Sequence, residues 1–133
     1  MRSLDIYRPC YHYRIYDRDG VLLYSGSACD VPRRLQEHRY LGWGRHWWAQ
    51  VDRIEQDEYP TVWQALLAER STGPGKHGKL FAGIGPKMAA RMTGDELAIA
   101  ATHPAYASLR DRDLAEKWRM PVMRIHEIRR GTR

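Results

Sequence analysis

Tyr13, Tyr24, Arg34, His38 and Glu69 follow one another in the first half of a 133-residue chain. Two phenols, a guanidinium, an imidazole and a lone carboxylate are together the groups that phosphodiester hydrolysis asks for. Breaking that bond in water needs an activated nucleophile and neutralisation of the charge that builds on phosphorus. Tyr24 comes 11 residues after Tyr13, Arg34 10 after Tyr24 and His38 4 after Arg34.

The elements that must position these groups can be read from pattern. In Tyr11-His12-Tyr13-Arg14-Ile15-Tyr16, alternation puts Tyr13 and Ile15 on one face of a strand and His12 and Arg14 on the other. The turn Asp17-Arg18-Asp19-Gly20 follows, and Val21-Leu22-Leu23-Tyr24 should return antiparallel, because Asp-Gly between β-prone runs signals a hairpin. Asp30 to His38 reads as a helix with Asp30 as N-cap and Pro32 in its first turn, so that Arg34 and His38 share a face. A strand is expected over Val51 to Glu55. A second helix begins at Thr61, whose hydroxyl caps while Gln64 answers as a capping box; it buries Val62, Ala65, Leu66 and Leu67. Glu69 lies near its C-terminal end, where the macrodipole disfavours a carboxylate, which hints at a nearby cation.

The strings Tyr13-Arg14-Ile15-Tyr16-Asp17, Leu23-Tyr24-Ser25-Gly26-Ser27, Arg34-Leu35-x-x-His38 and Ala65-x-x-x-Glu69, in that order, resemble the GIY-YIG nuclease domain over roughly residues 9–82. The resemblance implies an α+β fold, a small three-stranded antiparallel sheet flanked by helices, that hydrolyses DNA. It further implies that Tyr13 and Tyr24 are the paired tyrosines, Arg34 the arginine, His38 an accessory residue and Glu69 the ligand of one Mg2+ or Mn2+. Chemically, an oxygen-ligated metal would neutralise much of the phosphate charge, and Arg34 can clamp the same oxygens. A tyrosine ionises at about pH 10, so it acts as base only if cations lower that value. Tyr24 is read as base or water-orienter with Tyr13 positioning it, and the two roles remain exchangeable at this stage.

Departures from the family pattern are local. Tyr11 and His12 replace the first motif's glycine and hydrophobe, and the chain contains no asparagine, whereas the family braces its site with one. His77 or Lys79, in the segment Ser71 to Phe81, would have to substitute. Each site residue also has a plainer reading: hairpin tyrosines as packing, Arg34 and His38 as a solvated helix face, Glu69 as a surface charge. In Trp43-Gly44-Arg45-His46-Trp47-Trp48 the aromatics could stack on a base, although closing the core is the commoner use. Cys10, Cys29 and His12 suggest a metal cluster only weakly, and the two cysteines, without a CxxC spacing, read better as buried or inert thiols.

With 22 basic and 16 acidic residues the chain carries a formal charge of +6, which favours polyanionic partners. There is no run of 18 apolar residues and no signal-peptide pattern, so a soluble, cytoplasmic protein with no membrane contact is expected. Residues 84–133 hold 10 Lys/Arg against 6 Asp/Glu. A Gly- and Pro-containing stretch from Gly73 to Pro86 separates a nuclease-like part, residues 9–82, from a helical part, residues 83–133. In the latter, Thr93 to Ala100 opens a capped helix, Ser108 to Trp118 is amphipathic with Leu114, Ala115 and Trp118 on one side, and Arg119-Met120-Pro121 breaks the chain. The last helix, Val122 to Arg130, puts Val122, Ile125 and Ile128 inward and ends at Gly131.

The Asp-Leu-Ala and Ile-x-x-Ile-Arg-Arg-Gly runs resemble a resolvase- or sigma-factor-type helix-turn-helix. That resemblance implies a recognition helix with Met123, Arg124 and His126 toward base edges and Arg129, Arg130 and Arg133 toward phosphates. The alternative is a helical bundle packed on the nuclease-like part, or a protein-contact module. The reading is a DNA endonuclease, homing-endonuclease-like, acting as monomer or dimer on DNA. The competing readings are a DNA-binding protein with a decayed nuclease site and a structure-specific repair or recombination nuclease.

Overall fold

The structure is a computed structural model that describes residues 6–41, 44–79 and 83–131. Strand β1 (Cys10–Tyr16) turns back into β2 (Leu22–Ala28). Asp17 builds the turn: its Oδ1 accepts the N–H groups of Asp19 and Val21, each at 2.9 Å, and Gly20 takes φ of +80°, which a side chain would disfavour. The returning strand runs further than expected, through Ser25, Gly26, Ser27 and Ala28. These small residues have weak strand preference, but each finds a partner on β1, from Arg14↔Ser25 to Tyr11↔Ala28, and pairing outweighs propensity. Strand β3 (Arg53–Tyr59) joins the opposite edge of β1, giving an antiparallel sheet of order β2-β1-β3. It starts two residues after the expected position and continues through polar residues that carry no alternation, because nearly all its side chains are exposed.

Helix α1 (Val31–Tyr40) is capped by Asp30, whose Oδ1 accepts the Arg33 N–H at 3.1 Å. Helix α2 (Val62–Thr72) is capped by the Thr61 hydroxyl, which accepts the Gln64 N–H at 3.3 Å. Gln64 answers through its side chain, taking the Thr61 O–H on Oε1 at 2.8 Å. The helical second half contains α3 (Pro86–Ala89), α4 (Gly94–Thr102), α5 (Asp111–Trp118) and α6 (Val122–Arg130). A reciprocal capping box does occur at α4, between Thr93 and Glu96. Helix α5 begins after Arg110 rather than at Ser108, with Asp111 and Asp113 in its first turn, where the macrodipole favours them. Arg119 takes a left-handed φ of 54° between α5 and α6, and Gly131 ends α6 at φ 75°.

The chain is thus an α+β fold: a three-stranded antiparallel sheet flanked by helices, followed by C-terminal helices. Two apolar cores form. Tyr13, Ile15, Leu23, Val31 and Trp47 fill the one between the sheet and α1. The other joins Trp63 and Leu67 of α2 to Ile84, Leu97, Tyr106, Leu114, Trp118, Ile125 and Ile128. Helix α2 therefore packs on the C-terminal helices as well as on the sheet, and Arg70 adds a bond from its Nε to the Ala105 carbonyl at 2.9 Å. The expected boundary at residues 82 and 83 adjoins residues 80–82, which lie outside the described ones. Val122, expected inward, is 48% exposed while Ile125 and Ile128 are buried. Three-residue spacing fixes only the face of a helix, and at the first residue of α6 that face meets little. No helix among the described residues is long and apolar enough to cross a membrane.

Arg129 ties the C-terminal helices together. Its guanidinium donates to the carbonyls of Ala101, Leu109 and Tyr106 at 3.2, 2.7 and 2.8 Å and to Asp111 Oδ1 at 2.8 Å. Replacing it by methionine would leave those carbonyls and a carboxylate without their donor, so Arg129→Met is expected to cost about 2–4 kcal/mol in urea unfolding. The half-exposed Arg130→Met should stay within about 0.5 kcal/mol of the parent.

Candidate active site

The β1–β2 ladder sets Tyr13 directly opposite Gly26. A Cβ at Gly26 would lie 2.6 Å from Tyr13 Oη and 3.0 Å from Tyr24 Cε1, so both phenols use space that only a bare backbone leaves. The two rings stand 6.0 Å apart. His38, one helical turn after Arg34 on α1, brings Nε2 to 2.8 Å from Tyr13 Oη and meets the Tyr24 ring edge-on at 4.6 Å. Arg34 acts on both Tyr13 and Tyr24 through its charge, with its side chain 45% exposed. Glu69 reaches in from α2, 8% exposed, and the Ser27 hydroxyl on β2 donates to the Ala65 carbonyl one helical turn before it at 3.3 Å. The five expected residues therefore meet in one place, carried by β1, β2, α1 and α2.

Burial dominates the electrostatics. It raises the ionisation of Tyr13 and of Tyr24 above the ordinary phenol value, with Glu69 adding to the rise and Arg34 opposing it. Burial also raises the Glu69 carboxyl, against the nearby Ser27 hydroxyl and the Arg34 charge. His38 is pushed down to about 4 by burial and then by Arg34. At neutral pH the site thus holds neutral phenols and a neutral imidazole, and burial disfavours charge on Glu69. The Tyr13 hydroxyl and His38 Nε2 share one hydrogen bond at 2.8 Å. Tyr13 is fully buried and Tyr24 is half-buried, so Tyr24 is the phenol nearer to solvent.

Two residues already noted in the sequence, Trp47 of the aromatic stretch and His77 as a substitute for the missing asparagine, also approach the site. Trp47, buried in the sheet core, stacks on Tyr24 at 6.3 Å, and the His77 ring lies flat on Trp47 at 5.2 Å. His77 is held along the outer edge of β2 because the N–H groups of Lys76 and His77 donate to Leu22 and Leu23, both at 2.8 Å. Of the two residues considered in place of the family's asparagine, His77 reaches this aromatic stack and Lys79 is exposed. Trp43, Leu80, Phe81 and Arg133 lie outside the described residues. The one usable signal was the Gly75-Lys76-His77-Gly78 run, whose glycines permit close approach to β2: a Cβ on Gly75 would meet the Tyr24 nitrogen at 2.8 Å.

On the opposite sheet face His12 is buried between Ser25 and Arg14. Arg14 donates to Nδ1 at 3.1 Å, so Nε2 carries the proton toward Ser25 Oγ at 2.8 Å. A histidine in that tautomer cannot take the serine proton, and the pair is not an activated nucleophile. On α6, Met123 is 65% exposed and His126 and Arg130 are exposed, with Arg124 half-buried. Arg129 does not fit its expected place among phosphate contacts, since its donors are engaged inside the fold and its side chain is 11% exposed. Asp111 faces Arg129, Arg130 and His126 together, and the Arg129 hydrogen bond first of all holds its carboxyl below the usual range.

Among the described residues no group of three or more His, Cys, Asp or Glu side chains is arranged to hold a metal ion. A cation at this site would rest on the Glu69 carboxylate and on oxygens from substrate and water. Comparison of the chain with protein-family models, with curated proteins and with solved structures gives no match.

The buried histidines make acid stability testable. His12 and His38 are each pushed down to about 4, chiefly by burial, while an unfolded histidine titrates near 6.5. The unfolded chain therefore binds more protons between those values, and stability should fall as pH drops from about 6.5 to about 4, by up to roughly 1.4 kcal/mol per pH unit for each histidine. Urea midpoints across that range should fall less steeply for His12→Gln and for His38→Gln. An unchanged slope in both variants would contradict the assignment.

Proposed function

We propose that the chain is a metal-dependent DNA endonuclease of the GIY-YIG type, hydrolysing phosphodiester bonds, with α5 and α6 as DNA-contacting helices. The observation that supports it above all others is the convergence of Tyr13, Tyr24, Arg34, His38 and Glu69, which the sequence scatters over 57 positions (69 − 13 + 1), in one place, with Arg34 exposed and Tyr24 half-buried at its solvent side. The exposed Arg34 guanidinium is suited to gripping a phosphate from outside. Tyr24, the phenol nearer to solvent, orients the attacking water and accepts its proton once nearby cations have lowered the phenol. Tyr13, too buried to touch substrate, positions Tyr24 and shares its own proton with His38. Glu69 would hold Mg2+ or Mn2+: a buried carboxylate beside the two phenol oxygens suits a hard cation. When bound, such an ion supplies Lewis-acid neutralisation of the phosphate charge.

The outward residues of α6 extend the reading. Arg124, with Met123 and His126, is suited to base edges, and Arg130 to phosphates, while Arg129 is left out. A homing-endonuclease-like layout follows, in which an attached reader gives selectivity to general chemistry. One such site cuts one strand, so double-strand cleavage would take two events or a dimer on DNA.

Nicking of supercoiled plasmid in Mg2+ or Mn2+ is the primary test. Glu69→Gln and Arg34→Ala should each lose on the order of 100-fold in rate, and equal nicking by all three proteins would refute the site. Because both phenols sit above their ordinary value, the parent rate should climb from pH 7 to pH 9, and Tyr24→Phe should flatten that climb. In binding assays Arg124→Ala is expected to relax sequence preference, and Arg130→Ala to reduce the salt slope by about one unit. Unchanged binding in both would remove α6 as the reader.

A further inference from the structure

The chain has two cysteines, Cys10 and Cys29, both present as free thiols. Nineteen positions separate them in sequence, yet the sheet brings them together. In the β1–β2 ladder Tyr11 faces Ala28, the last residue of β2, and Cys10 and Cys29 are the next residues on the two segments. Facing residues at the end of such a ladder have Cα atoms about 4.5–5.5 Å apart, and a disulfide accepts roughly 4.4–6.8 Å. Cys29 lies near enough to act on the ionisation of Cys10.

The pair is also asymmetric. Cys10 is 3% exposed, whereas Cys29 is partly open to solvent. Burial and then the neighbouring sulfur push the Cys10 thiol up to about 12, so Cys29 is the group able to meet an external reagent first.

We propose that Cys10 and Cys29 form a redox modification site, closing a cross-strand disulfide when the folded chain meets a small dialkyl disulfide such as oxidised glutathione. In the first step the Cys29 thiolate attacks one sulfur of the reagent, its S–S bond breaks, and one small thiol leaves. In the second, Cys10 gives up its proton and attacks Cys29 Sγ, which expels the second small thiol. Two protein thiols are oxidised and one small disulfide is reduced to two thiols, so hydrogens and electrons balance. The bond would join the first residue of β1 to the residue ahead of Asp30, the N-cap of α1. The helix that carries Arg34 and His38 would then be anchored to the sheet by a covalent link. Neither the chemistry nor its test depends on the nuclease reading.

The native full-length chain, incubated with oxidised glutathione, should lose both titratable thiols and become lighter by the mass of two hydrogen atoms. Peptide mapping should find Cys10 joined to Cys29, and dithiothreitol should restore the starting mass. Closure should be at least about tenfold faster in the folded chain than in the urea-unfolded one, because the ladder holds the sulfurs together. Cys10→Ser should stop at a stable glutathione adduct on Cys29, and Cys29→Ser should leave Cys10 unmodified under native conditions. The proposal is overturned if the parent protein keeps both thiols, stops at glutathione adducts, forms intermolecular links only, or closes no faster folded than unfolded.

Discussion

The pairing of Tyr13 with Gly26 is the constraint on which the candidate site rests. Strand pairing fixes register, and a slip of one residue would turn Tyr13 to the other face of the sheet. With the register as it stands, Tyr13 projects into the core beneath α1 and its hydroxyl passes over a residue with no side chain. That vacancy lets Tyr24 and His38 close around the same oxygen. A larger residue at position 26 would displace the phenol, and the contact of His38 with it.

Helix α2 links this arrangement to the rest of the molecule. Its Glu69 meets the two phenols from one side, while Trp63 and Leu67 belong to the core of the C-terminal helices. The position of the carboxylate therefore depends on packing contributed by α4, α5 and α6. Burial raises the Glu69 carboxyl against the opposing charge of Arg34, since removing a carboxylate from water disfavours its charged form. Buried ionisable groups of this kind are common where a cation or a charged substrate is handled.

The C-terminal helices divide their basic residues between two uses. Arg129 is spent on carbonyls of the α4–α5 connection and on Asp111, whereas Arg124 and Arg130 point to solvent or its margin. Neighbours in sequence thus differ in availability, Arg129 being 11% and Arg130 53% exposed although both reach Asp111. Helical periodicity sets Arg129 beside the buried stripe of Ile125 and Ile128 and Arg130 opposite it, but the acceptors that engage Arg129 come from residues 101–111 and cannot be read from α6 alone.

Local chemistry was legible in the residues themselves. Asp30, Thr61 and Thr93 as caps, the Asp17–Gly20 turn and the span of α6 each depend on interactions within a few positions, so short-range patterns suffice. The five residues that converge could be singled out from their types and order and from the resemblance those motifs carry. What only the tertiary structure decided was set by long-range contact: the extension of β2 through small residues, the placement of β3, the exposure of Val122, the engagement of Arg129, and the approach of Trp47 and His77 to Tyr24. Those outcomes depend on which surfaces meet, and a linear pattern carries no information about a partner that lies 30 or 50 residues away.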